Sequence, residues 1–393
     1  MNDFCALGIT NAFAEKLSAR AITQPTAVQR MVIGPLLEGH SVIFRSATGT
    51  GKTLAYLLPA LQRVLDGLDL QPPRSGPALV VCAPTLELCS QIKREAELVL
   101  GEQHGVALLT GSADLGRQID ALKKGRPLVA VGNPGRLLLL AKMGKLTFHG
   151  LRFLVLDEAD RLCAKECLEE MRELAQIIVG KPGGQELRLT VAACSATVSA
   201  KTREALHPLL DGALLLETDD HEVLRERIEH WAIFSEGRRK TQTLASFFAA
   251  AHPKKALVFT GRSYDAGKLV AALHQRRIAA EGLYSGMGKT ERKTAIDRFR
   301  SGKAAVLVSS DLAARGLDIP AITHVIALET SDNKDTYIHR AGRTGRAGKR
   351  GIMVTIGDEL EMHRLAALEK KLGIVVYPKE LYNGKVCKPE AGE

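Results

Sequence analysis

The stretch SATGTGKT, Ser46 to Thr53, ends in the residues that a bound triphosphate needs. Gly49 and Gly51 let backbone N–H groups crowd the phosphates, with Thr50 between them. Lys52 can reach the β and γ oxygens, and the Thr53 hydroxyl is placed to hold Mg²⁺. Such a site also needs a carboxylate at the end of a neighbouring strand, and Asp157 emerges where the apolar run FLVL stops. It is suited to bind the metal through water, and Glu158 beside it to polarise an attacking water. The chemistry expected is hydrolysis of a nucleoside triphosphate. Ser46 stands where the pattern G-x-x-x-x-G-K-[ST] has glycine.

Strands must carry these groups to one edge. Short runs rich in Val, Leu and Ile (SVIFR, ALVVCAP, LVAVGNPGR, FLVLDEAD, LTVAACSAT) are each followed by a small or polar turn and then a helix-like segment. Buried parallel strands with crossover helices read this way. The rhythm resumes after residue 227 with KALVFTGRS, IAAEGLYS, AAVLVSSDLAARG and HVIALE. The fold class expected is α/β, with two tandem domains, each a mostly parallel sheet flanked by helices. We set their bounds at 1–218 and 227–385, with a linker at 219–226 and a short frayed tail at 386–393.

A chain of 393 residues exceeds the usual span of one hydrophobic core. Its net charge of +10 favours an anionic partner, because Lys and Arg release counterions when they meet phosphates. The seven cysteines are odd in number and scattered, which excludes a disulfide framework and suits a reducing compartment. Cys163 and Cys167 sit one helical turn apart with no second pair at metal-ligand spacing, so buried structural thiols are expected. The first residues lack the basic start and apolar stretch of a secretory signal, and no run reaches the length of a membrane span. A cytoplasmic protein without membrane association is expected, and no fixed-period repeat supports a solenoid.

The order of the motifs resembles a DEAD-box RNA helicase over nearly the whole chain. PTAVQ (25–29), TGTGKT (48–53), PTLELCSQ (84–91), NPGR (133–136), DEAD (157–160), SAT (195–197), SDLAARGLDIP (310–320) and HRAGRTGRAG (339–348) fall where that family places its motifs. The resemblance implies two RecA-like domains, ATP and Mg²⁺ as cofactors, and RNA as the partner, single-stranded or in a short duplex. It implies a monomer whose specificity comes from protein partners. ATP binding and hydrolysis would drive local, non-processive strand separation or remodelling of RNA–protein complexes, the alternative being an ATP-gated RNA clamp. A DNA-directed helicase and a P-loop transporter ATPase are weaker readings, the latter opposed by the second-domain arginines.

Residue roles follow from the same resemblance. Gln29 would bond the adenine edge with Phe4 stacking near the base, and Asp318 would hold the ribose. Arg343 and Arg346 would reach the γ-phosphate, with His339 ordering the water. Asp160, Ser195 and Thr197 would couple nucleotide state to domain closure. Pro84, Thr85, Gly111, Asn133, Gly135 and Arg136 in the first domain, and Lys289, Arg292 and Ser310 in the second, would face RNA. The departures from the family pattern are Ala21 and Ile22 for glycine and an aromatic, Leu86 for arginine, Ser112 for glycine, Asn133 for threonine, Lys289 for glutamine, and Ser46 and Ala47 in the loop.

Overall fold

The computed structural model describes residues 3–45, 50–70, 76–101, 104–180, 189–195, 200–217, 220–261, 265–284, 286–311, 319, 321–345 and 349–389. The chain divides into two compact units that change over after Thr218.

The first unit is built on strands β1 (Val42–Arg45), β2 (Leu79–Cys82), β3 (Val106–Leu109), β4 (Val129–Gly132), β5 (Phe153–Asp157), β6 (Thr190–Ser195) and β7 (Leu214–Glu217). Its helices are α1 (Asn11–Ser18), α2 (Ala27–Leu37), α3 (Lys52–Leu70), α4 (Leu86–Leu100), α5 (Leu115–Gly125), α6 (Pro134–Lys142), α7 (Ala159–Leu162), α8 (Leu168–Val179) and α9 (Ala200–Leu210). The strands lie in the order β3-β4-β2-β5-β6-β1-β7, all parallel. β2, β4, β5 and β6 are buried at every position. Helices cover both faces, so these strands read as unbroken apolar runs rather than alternating ones. Phe4, Phe44, Tyr56 and Phe153 anchor one core layer; Leu137, Phe148, Leu156 and Met171 anchor the other.

All seven strands being parallel, their C-terminal ends share one edge, where sheets of this kind bind ligands. β1, β6 and β5 bring the phosphate loop, Ser195 and Asp157 to adjacent positions on it. β2, β4 and β3 bring Pro84–Thr85, Asn133–Arg136 and Gly111 to the rest.

The second unit holds α10 (Asp220–Arg227), β8 (Ile228–Phe234), α11 (Lys240–Ala251), β9 (Ala256–Thr260), α12 (Ala266–Gln275), β10 (Ala280–Leu283), α13 (Lys289–Arg300), β11 (Val306–Ser310), β12 (His324–Ala327), α14 (Lys334–Ala341), β13 (Gly351–Gly357), α15 (Glu359–Leu372), β14 (Val376–Tyr382) and β15 (Lys385–Cys387). Its strand order is β10-β11-β9-β12-β13-β8-β14-β15, parallel except for the last pair. Helix α10 occupies most of the stretch expected to be the linker. One expectation is corrected here: the tail does not fray at once, because Lys385–Cys387 pairs back onto β14. Asn383 and Gly384 at φ 47° and 70° make the positive-φ turn that an Asn-Gly hairpin requires.

Lys240 and Glu361 form a buried ion pair in this unit, at 4% and 7% side-chain exposure. Lys240 Nζ also donates to the Leu328 carbonyl at 2.8 Å, and Glu361 accepts from the Asp358 N–H at 2.9 Å, joining α11 to the start of α15. Removing one charge strands the other in the core. Lys240→Ala is therefore expected to lower the unfolding free energy of this unit by about 3 kcal/mol, read as a shifted urea midpoint.

Four of the seven cysteines, Cys82, Cys89, Cys163 and Cys194, are buried. Burial pushes the Cys89 thiol up to about 12 and the Cys163 thiol to about 11. Thiolate is the reactive form. With a thiol reagent at pH 8 the native protein should therefore expose no more than Cys5, Cys167 and Cys387, and all seven cysteines should react after denaturation.

Candidate nucleotide and nucleic-acid sites

Helix α3 begins at Lys52, so its N-terminus opens directly on the phosphate loop. Gly51 sits at φ +93°, and a Cβ there would lie 2.5 Å from Gln29 Nε2. Only glycine fits both constraints. Gln29 Nε2 donates to the Gly51 carbonyl at 3.1 Å, while its Oε1 accepts from the Thr26 N–H at 2.9 Å. Thr26 in turn caps α2 by accepting from the Gln29 N–H at 3.4 Å. Gln29 is 2% exposed. It therefore ties α2 to the phosphate-binding side of the sheet. Phe4 is corrected: at 0% exposure, inside the core of the first unit, it offers no ring face to a base. The 3-10 turn Cys5–Leu7, with Phe4 accepting from the Leu7 and Ile9 N–H groups, turns the ring inward.

Asp157, 4% exposed, ends β5 beneath α3. Its Oδ2 accepts from the Tyr56 hydroxyl at 2.7 Å; its Oδ1 accepts from the Glu158 N–H at 2.9 Å and the Cys194 thiol at 2.7 Å. Burial pushes its carboxyl above the usual aspartate range, and Lys52, Cys194 and Tyr56 pull it back. The Tyr56 hydroxyl, held neutral by burial and by Asp157, also bonds the Thr53 side chain. One phenol thus joins the two side chains expected to hold Mg²⁺. A hydroxyl and a carboxylate are hard oxygen donors and fit a small divalent cation whose other ligands are water and phosphate. No group of three or more His, Cys, Asp or Glu able to hold a metal occurs among the described residues.

Glu158 adopts a left-handed backbone, φ 53° and ψ 53°, at the start of α7. A glutamate pays of order 1 kcal/mol or more for this conformation, which recurs where function fixes a side chain. Its carboxylate pairs with Arg161 at 3.1 Å. Asp160 is raised by burial, opposed by a bond from Ser195, whose Oγ also accepts from the Asp160 N–H at 3.3 Å. The hydroxyl of the SAT stretch and the last residue of DEAD are thus joined.

Along the rest of this edge, Thr85 caps α4 by accepting from the Leu88 N–H at 3.3 Å, and Asn133 caps α6 by accepting from the Arg136 N–H at 3.3 Å. Pro84 precedes the first cap. The Arg136 guanidinium donates to the Gly111 and Ala113 carbonyls, both at 3.2 Å, and so holds the exposed turn that carries Gly111 and Ser112. Glu170 packs its carboxylate against Gly135, where a Cβ would lie 2.7 Å from Oε1 and would have to displace that side chain. Two helix N-termini and a glycine turn thus present backbone N–H groups side by side.

In the second unit Lys289 and Arg292 open α13 and Ser310 ends β11. His339 lies in the last turn of α14, followed by Arg343 at 6% exposure. Arg340 between them grips Asp311 through two bonds of 2.6 Å and the Glu329 carbonyl through a third of 2.5 Å. Gly49, Thr197, Asp318, Arg346 and the side chain of Lys289 lie outside the described residues.

Sequence reasoning missed Tyr56, Cys194, Asp311 and Arg340. Tyr56 follows Thr53 by one helical turn, and Cys194 lies in register with Asp157 across β5 and β6. That spacing and the shared strand end were the available signals.

Residues 26–206 match the family described as DEAD/DEAH box helicase, and residues 239–348 the helicase conserved C-terminal domain. The chain is 36% identical over 369 residues to the DEAD-box ATP-dependent RNA helicase CshC of Bacillus cereus, covering 93% of this chain and 91% of that one. Its fold is similar to that of the helicase Mss116 bound to single-stranded RNA and UDP-BeF, at TM-score 0.82 and 24% identity over 95% of this chain and 79% of that one. It is similar also to S. cerevisiae Dbp5 bound to RNA and ADP BeF3, at TM-score 0.81 and 24% identity over 96% of each chain. Both similarities bear on fold, two tandem RecA-like domains.

Proposed function

The chain belongs to the DEAD-box family of ATP-dependent RNA helicases, and from that premise we propose how its own residues couple ATP turnover to local, non-processive RNA strand separation or RNA–protein remodelling. The observation that carries the proposal is the linked set at the ends of β1, β6 and β5: Lys52 acting on Asp157, Tyr56 joining Thr53 to Asp157, and Ser195 bonded to Asp160.

In this reading the loop from Gly49 to Thr53 binds the phosphates through backbone N–H groups and the Lys52 ammonium. Thr53 and Asp157 would hold Mg²⁺, which would supply positive charge against the phosphates. Glu158 orients the attacking water and takes its proton. Arg343 and Arg346 add positive charge at the γ-phosphate when the second domain closes, and His339 orders the water. Asp318 holds the ribose. Ser195, Thr197 and Asp160 pass the presence of nucleotide to the closure step. The α4 and α6 N-termini and the Gly111 turn grip the RNA backbone, joined by Lys289, Arg292 and Ser310. Contacts to 2′-hydroxyls would favour RNA over DNA. The protein would act as a cytoplasmic monomer, with targets chosen by protein partners. No described helix is long and apolar enough to cross a membrane.

The test is steady-state ATP turnover with and without single-stranded RNA, the same sequence as DNA serving as the control. Stimulation by RNA alone is expected; equal turnover without nucleic acid would overturn the coupling. Leu86, first residue of α4 and half-buried, stands where an arginine would reach the phosphates. Leu86→Arg is expected to tighten RNA binding about fivefold to tenfold at low salt, with the salt slope steeper by about 0.7. An unchanged dissociation constant and slope would show that Leu86 does not face RNA.

A further inference from the structure

A groove of about 640 Å³ lies in the second unit, lined in part by Phe248, Ala249, Ile278 and Ala305. That volume is in the range of ligand-binding clefts. The groove sits beside the starts of β9, β10 and β11, at Ala256, Ala280 and Val306, whereas Ser310 lies at the far end of β11. An occupant would leave the nucleotide and RNA residues of this unit uncovered.

Its charge is one-sided. The charged or titratable residues lining it are His252 and Arg276, both exposed. Arg276 is held in place by donating to the Ala272 carbonyl at 3.0 Å. Lys254, Arg277 and Lys303 are exposed in the chain immediately beside the lining residues. The stretches 240–256, 273–280 and 301–306, which supply the lining, contain no Asp or Glu. Glu281, next after the second of these stretches, is paired with Arg298, and a concave apolar surface ringed by an excess of positive charge concentrates anions that also carry an apolar group. The groove offers RNA neither paired helix N-termini like those proposed to grip it in the first unit nor an open ring for a base to stack on, since Phe248, the aromatic in this lining, is 6% exposed.

We infer that the groove docks an acidic segment of a partner protein, one large apolar side chain seated over Ala249 and Ile278 and its carboxylates over Arg276 and the neighbouring cations. This goes beyond ATP-driven RNA remodelling: it supplies a place for a partner that directs the enzyme without competing with RNA.

The probe is a displayed library of random peptides panned on the full chain, with Ala249→Glu as counter-selection, followed by anisotropy on the recovered peptides. Ala249 is exposed on α11, so the substitution fills the groove without entering the core. Recovered sequences should be rich in Asp and Glu around one Phe, Leu or Trp. Their binding should weaken tenfold or more with Ala249→Glu and with Arg276→Glu, while RNA-stimulated ATP turnover stays unchanged. Recovery of no Ala249-dependent peptide, or of neutral or basic ones, would overturn the inference. So would variants that weaken poly-U binding and leave the peptides bound, which would mark an RNA surface. The unchanged turnover separates these outcomes from any failure of the helicase reading.

Discussion

Glu158→Gln should bind ATP within about threefold of the wild-type affinity and turn it over about a thousandfold more slowly, a loss of about 4 kcal/mol from transition-state stabilisation. The substitution keeps length and shape but removes the ability to accept a proton. The left-handed backbone at φ 53° belongs to position 158 and is set by the turn from β5 into α7, so the amide should occupy the place of the carboxylate. Arg161 loses a charged partner at 3.1 Å but keeps the new amide oxygen within reach as an acceptor, so the pair, at 19% and 17% side-chain exposure, is weakened rather than left as an unpaired charge. Binding groups are untouched, because Asp157 keeps its bonds to Tyr56, Cys194 and the backbone N–H at 158. Such a variant should also hold RNA longer in the presence of ATP, since in the coupled reading RNA is released only after ATP is hydrolysed. A fluorescent ATP analogue measures the affinity and phosphate release measures the rate. Wild-type turnover in the variant would remove Glu158 from the chemistry and leave the water to another base.

The strands that position this site were legible because they are buried on both faces. LVVC, FLVLD and VLVSS are unbroken apolar runs, and a parallel sheet covered by helices produces that pattern. β3 (VALL) and β7 (LLLE) are apolar as well, but they are short edge strands, half-exposed at alternate positions and mostly exposed respectively, and no catalytic motif next to them drew the reading to them. β8 was hidden for a different reason: IEHWAIF mixes a glutamate and a buried histidine into the strand, and His230 is accommodated there by bonds to the Tyr337 hydroxyl and the Leu224 carbonyl. The chemistry-bearing motifs could be read in line, but their supports could not. Tyr56 and Asp157 are 101 residues apart and Cys194 is 37 beyond Asp157, so neither partner appears in any local window. Phe4 shows the opposite error. The residue type fits a ring stacked on a base, and burial assigns it instead to the core.

Lys52→Ala should weaken ATP binding by a hundredfold or more, about 3 kcal/mol, and reduce turnover below detection. Two losses act together. The phosphates lose a charge-assisted donor at the N-terminus of α3, where the helix dipole supplies only a partial positive charge. Asp157 loses the neighbouring cation that opposes its burial, so its carboxyl rises further and protons compete with the metal for it. Raising pH or Mg²⁺ should therefore recover part of the affinity in the variant and none in the wild type, a signature that simple loss of a phosphate contact would not give. Fold stability should hardly change, because a cation at the first position of a helix opposes the dipole while attracting Asp157, and the two effects offset. Lys52→Arg makes the complementary test: a guanidinium keeps the charge near Asp157 but brings a planar fork where a compact ammonium fits between loop and phosphates. It should recover nucleotide affinity more than turnover. ATP affinity in Lys52→Ala equal to wild type, measured by calorimetry at fixed Mg²⁺, would mean that the loop before α3 does not hold the nucleotide.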